Sequence, residues 1–81
     1  MKDMEALDLI TSVVREVLDN DEIILSPSST PADVEGWDSV AHVNIVISLE
    51  RKLRRTFTTE QIESLQSVAD LIRVAQSDGG R

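Results

Sequence analysis

No cysteine occurs in the 81-residue chain. Disulfides and thiolate–metal sites are therefore excluded as staples, although a chain this short lies near the lower limit for an unaided core. Aromatic residues are almost missing, with Trp37 and Phe57 the only two and no tyrosine. The apolar content is Leu, Ile, Val and Ala, which suits aliphatic packing between helices. One histidine, His42, and no thiol leave little for a metal site or a nucleophile–base pair. Positive charge is scarce: eight Lys and Arg stand against fifteen Asp and Glu, for a net charge of −7. Nucleic-acid binding leans on cations that neutralise phosphates, so it is not expected. No apolar run approaches the roughly 20 residues that span a bilayer. The opening Met1-Lys2-Asp3-Met4-Glu5 is acidic and lacks the basic start and apolar stretch of a secretory signal. These absences leave one small acidic helical domain over 1–81, expected to be cytoplasmic, monomeric and not an enzyme.

What is present is helical periodicity. Met4, Leu7, Ile10, Val13, Val14, Val17 and Leu18 recur at three- and four-residue spacing and predict a helix over 4–18. A long connection follows over 19–37, punctuated by Pro27, Pro31 and Gly36. Its apolar patch, Ile23-Ile24-Leu25, is expected to fold back over the bundle. A second helix is predicted over 38–55. At 100° per residue, Val40, Val43, Ile45, Val46, Ile47, Leu49 and Leu53 cover an arc of roughly 220°. So wide an arc implies more than one neighbour and puts this helix at the expected centre of the bundle. Thr58 and Gln61 stand at capping-box spacing before a short helix over 59–65 with Ile62 and Leu65 facing in. A last helix is predicted over 67–77, with Val68, Leu71, Ile72 and Ala75 inward, before a tail at 78–81. There is no internal repeat.

Charge is uneven. Residues 1–38 hold ten acids and two bases, net −8, while 39–81 hold five acids and six bases, net +1. The second helix ends in Arg51, Lys52, Arg54 and Arg55. Cations at a helix C-terminus are favourable in themselves, and the cluster also suits a docking patch.

Gly36-Trp37-Asp38-Ser39-Val40 is the stretch that carries chemistry. Gly36 permits a sharp turn. Trp37 can anchor the end of the loop. Asp38 is a good N-cap for a helix running from 39. Ser39 then falls in the first turn, where free N–H groups and the positive dipole end favour a phosphate. A capped helix start alone would say little. Here it ends a long acidic loop and opens a strongly apolar helix. Phe57-Thr58, a short helix and Ser67-Val68-x-x-Leu71-Ile72 follow, with Val43, Leu49 and Glu50 in step. Over essentially its whole length the chain resembles the acyl carrier protein family, including peptidyl carrier domains.

The resemblance implies an all-α, small four-helix bundle of three longer helices and one short one, with a long loop between the first and second. It implies that a phosphopantetheinyl transferase, using Mg²⁺, moves a 4′-phosphopantetheine arm from coenzyme A onto Ser39. The thiol of that arm would hold acyl groups as thioesters, so a chain without cysteine imports its sulfur. Asp38, Val40, Ala41 and Val43 are the implied partner contacts. The implied partners are the transferase, an acyl-loading enzyme (adenylating ligase or acyltransferase), and ketosynthase or condensation-type enzymes. No catalytic residue and no resident metal are implied.

The chain departs from the family pattern in two places. Val40 replaces the usual Leu after the serine, a loss of about one methylene, or about 0.8 kcal/mol if fully buried at a partner. The second helix, acidic in fatty-acid carriers, has His42, Asn44 and the basic cluster here. Because charge governs partner choice, a discrete carrier of a polyketide or nonribosomal-peptide type pathway is expected. An aminoacyl or peptidyl carrier and a primary fatty-acid carrier are the alternatives. An unmodified helical adaptor is the rival from another class. A Ser39–His42 nucleophile pair lacks an orienting third group. His42, about one turn after Ser39, could approach the phosphate and be partly protonated there, but the preferred reading is a surface or partner-contact residue. The apolar second helix suits either a tight core or one that admits cargo; stiff β-branched side chains favour the former.

Overall fold

The computed structural model describes residues 2–76. Among them the chain forms four α-helices and no strand: α1 (Asp3–Leu18), α2 (Ser39–Leu53), α3 (Thr59–Glu63) and α4 (Val68–Gln76). A 3-10 turn, Pro31–Asp33, interrupts the long connection before α2. Residue 77 and the expected tail at 78–81 lie outside the described residues.

The inward stripe of α1 is Ala6, Ile10, Val13 and Val14. These positions repeat at four, seven and eight residues, one face of a 3.6-residue helix. Met4, expected to face in, is 77% exposed. It lies two residues from Ala6, on nearly the opposite side of the helix.

The bundle is centred on α1, not on α2 as its apolar arc suggested. α1 packs extensively against both α4 and α2. α2 gives the core Ala41, Ile45, Val46 and Leu49. Val40, Val43 and Ile47 are 70%, 55% and 41% exposed. One extensive neighbour covers only part of a wide arc, and the remainder faces outward. α4 is the more completely used helix, burying Val68, Leu71, Ile72, Val74 and Ala75.

The connection is tied to α1 and to the start of α4. Ile23 and Leu25 are buried while Ile24 between them is 86% exposed, the alternation of extended chain. Arg15 Nε donates to the Ile23 carbonyl at 2.8 Å. The first N–H groups of α4, which have no partner within their own helix, donate to this loop. Val68 N–H reaches Ser29 O at 2.8 Å and Ala69 N–H reaches Pro27 O at 2.9 Å.

Both long helices stop in a left-handed residue without using glycine. Asp19 has φ 52° after α1 and Arg54 has φ 56° after α2. In each case the N–H of that residue and of the one after it fold back, from Asp19 and Asn20 to the Glu16 and Arg15 carbonyls, and from Arg54 and Arg55 to those of Arg51 and Glu50. α2 therefore ends before the expected 55. Arg55 is drawn out of the basic cluster, its Nη2 donating to the Ala75 carbonyl at 2.5 Å. Glu50 Oε2 accepts from Phe57 N–H at 2.8 Å. Thr58 and Gln61 form the reciprocal cap of α3, with Gln61 N–H to Thr58 Oγ1 at 3.1 Å and Thr58 N–H to Gln61 Oε1 at 2.9 Å. α3 is shorter than the expected 59–65. Leu65 is buried all the same, from the segment that follows it.

Candidate functional site

The site is assembled from one turn and the helix it launches. Trp37 N–H donates to Val34 O at 3.2 Å, closing a turn whose third residue, Gly36, has φ 91°. That backbone region favours glycine. Space is not the constraint, since a Cβ on Gly36 would meet only Leu18 Cδ2, at 3.8 Å. Trp37 then buries its ring at the edge of the bundle. Asp38 is extended, and its carboxylate accepts from Ala41 N–H at 2.8 Å. This N-cap fixes where α2 begins.

Ser39 is the first residue of α2, and it is exposed. The N–H groups of the first helical positions have no acceptor inside the helix and mark its positive end. Ser39 also borders an open groove of about 510 Å³ with Trp37, His42 and Val43 on one side. Pro31 of the 3-10 turn and Leu65, ahead of α4, close the other side.

Of the four expected partner contacts, Asp38, Val40 and Val43 are exposed. Ala41 is not. It is buried within the bundle and leaves a partner little side-chain surface. The Asp38 cap sets the phase of the helix, and that phase turns 41, 45 and 49 inward together.

His42 differs from its expected state. The Trp37 indole N–H donates to His42 Nδ1 at 3.2 Å, and the two rings stack at 6.2 Å with 26° between their planes. An indole N–H can only donate, so Nδ1 must carry a lone pair and the proton sits on Nε2. Half-burial pushes the imidazole pKa below its usual value. In the unmodified protein the neutral form of His42 is therefore favoured, whereas the reading that sets it beside a phosphate has it partly protonated. The pairing joins two residues five apart across a helix cap, a separation no periodicity marks. Pro31 and Leu65 reach the groove by tertiary packing, which left no signal in the sequence.

Among the described residues no group of three or more His, Cys, Asp or Glu could hold a metal ion. None of the described helices is long and apolar enough to cross a membrane.

A solution structure of a holo acyl carrier protein from Geobacter metallireducens has a TM-score of 0.80 with this chain. The two are 33% identical, and the match covers 86% of this chain and 80% of that one. This chain belongs to the acyl carrier protein family. As an acyl carrier protein it is a carrier and not an enzyme. No family model and no curated protein matches the chain. The carrier fold and family read from Gly36 to Ser39 and the helices around them agree with this match.

Proposed function

We propose that this acyl carrier protein bears a 4′-phosphopantetheine arm on Ser39 Oγ. The observation that carries the reading is an exposed serine at the first position of a helix capped by Asp38, beside an open groove. The residues suit the group. The unclaimed N–H donors of the first turn favour a phosphodiester on that oxygen. Trp37 and the Asp38 cap hold the turn, so that Ser39 is presented from a rigid point. When bound, the arm supplies the thiol that the sequence lacks, and acyl groups ride on it as thioesters. The chain would receive it from coenzyme A through a phosphopantetheinyl transferase.

The test is intact mass after incubation with coenzyme A, Mg²⁺ and a broad-specificity phosphopantetheinyl transferase. The expected result is the addition of one phosphopantetheinyl group, abolished in Ser39→Ala. No addition, or addition that survives Ser39→Ala, rejects the reading.

The proposed setting is a specialised polyketide or nonribosomal-peptide type pathway, not general fatty-acid synthesis. The support is the exposed face of α2. It runs through Val40, Val43, Asn44 and Ile47 to Arg51, Lys52 and Arg54, all exposed. The one acid in the helix, Glu50, has an oxygen committed to Phe57 N–H. A partner suited to the acidic second helix of fatty-acid carriers would be poorly matched here. Loading the holo protein with an adenylating ligase, an acyltransferase and fatty-acid synthase enzymes in parallel checks this. Efficient elongation by the fatty-acid enzymes would overturn it.

A further inference from the structure

Trp37 and His42 form a polar contact beside Ser39 that the carrier role does not by itself require. His42 is three residues after Ser39 on the same helix, a spacing that sets the two Cβ atoms about 5–6 Å apart on one face. Both border the groove. The indole N–H takes up Nδ1, which leaves Nε2–H as the donor of a neutral ring. No described residue accepts from it. Asp38 is the only other titratable residue on the groove, whose far side is Pro31 and Leu65. The Asp38 carboxylate is itself held by Ala41 N–H. The groove is thus lined by an imidazole that is held by one buried ring and keeps Nε2–H as its free donor, beside the hydroxyl proposed to bear an anion.

We propose that His42, set in its tautomer by Trp37, donates its Nε2–H to the phosphodiester carried on Ser39 and so holds the base of the arm against the groove. Trp37 is the positioning residue and His42 the binding residue. This rests on the reading of Ser39 given above. The consequence for charge has a definite sign. In the unmodified protein, half-burial and the indole bond both favour the neutral ring, so the folded protein resists protonation. An anion beside Nε2 favours the imidazolium and works against them. Attaching the arm should therefore raise the His42 pKa.

The chain contains one histidine and one tryptophan, so their ring ¹⁵N signals identify themselves. The experiment records them, with the ³¹P signal of the arm, across pH in apo protein and in protein loaded from coenzyme A. In the apo form Nδ1 should be unprotonated, and the indole and imidazole signals should titrate together below 6.5, the usual value for the ring. In the loaded form that midpoint should rise, and the ³¹P signal should follow it. Trp37→Phe removes the donor while keeping a ring, and should raise the apo midpoint and mix the tautomers. His42→Gln, which keeps donor and acceptor but cannot titrate, should abolish the ³¹P step in the loaded protein, and it decides the matter if Trp37→Phe does not fold. Loading with an unshifted midpoint, a proton on Nδ1, or a ³¹P step that persists in His42→Gln overturns the role of His42 alone. Failure of Ser39 to gain the arm overturns the carrier-site reading and this role with it.

Discussion

α1 and α2 are near equals in length, 16 and 15 residues, and each turns four apolar residues into the core. They differ in what remains. α1 lies between two helices and leaves only Met4 strongly exposed among its large apolar side chains. α2 has one extensive neighbour and leaves Val40, Val43 and Ile47 in solvent. Periodicity reports how much of a helix is apolar; the number of neighbours decides how much of that is covered. The uncovered part of α2 starts beside Ser39.

The sharpest way to break this comparison is to cut one β-branched side chain from each helix. Ile10 is completely buried. Ile10→Ala should cost about 3 kcal/mol, the sum of lost burial and a residual cavity. Val43→Ala, on the open face of α2, should change stability by no more than about 0.5 kcal/mol. Urea denaturation of both variants measures this. Comparable losses would mean that the open face of α2 is covered after all.

The two ends of α2 sharpen the contrast further. At its start, Gly36→Ala forces a side chain into a φ of 91° and should cost about 1–2 kcal/mol. Asp38→Ala removes the acceptor of Ala41 N–H and should cost about 1 kcal/mol. Asp38→Ala should also fray the first turn, seen as faster amide exchange at Ala41 and His42 and slower arm transfer to Ser39. A variant equal to wild type in exchange and transfer would show that the turn is held by Trp37 without the cap.

These local features are the ones the sequence made legible. A glycine at a turn, an aspartate before an apolar helix, and a Thr–Gln pair three apart each act over one turn of chain, so type and spacing suffice. The arc of α2 misled because facing is decided by a partner, and α1 sits far from it in sequence. The burial of Ala41 escaped the sequence for the same reason: its facing was readable only once the inward stripe was known to run 41, 45, 49. The hydrogen bonds from Val68 and Ala69 to the loop carbonyls of Ser29 and Pro27 had no sequence mark, since backbone groups carry no residue identity. His42 was visible as a residue but not as a state, because its proton is placed by a ring that only the fold brings to it.

The smallest effect returns to α1 and α2, at their C-terminal ends. Both close with the same backbone reversal, one on Asp19 and the other on Arg54. A left-handed conformation crowds Cβ against the following carbonyl, and a short polar side chain tolerates it better than a long one because it can hydrogen-bond locally. Replacing either residue with glycine removes the crowding but loosens the unfolded chain, which offsets part of the gain. Arg54→Gly should therefore stabilise the protein by about 0.5–1 kcal/mol, and Asp19→Gly by less. Denaturation midpoints in the same urea series separate the two. If Arg54→Gly is neutral or destabilising, the arginine contributes at the end of α2 something beyond the turn, and the equivalence of the two helix ends fails.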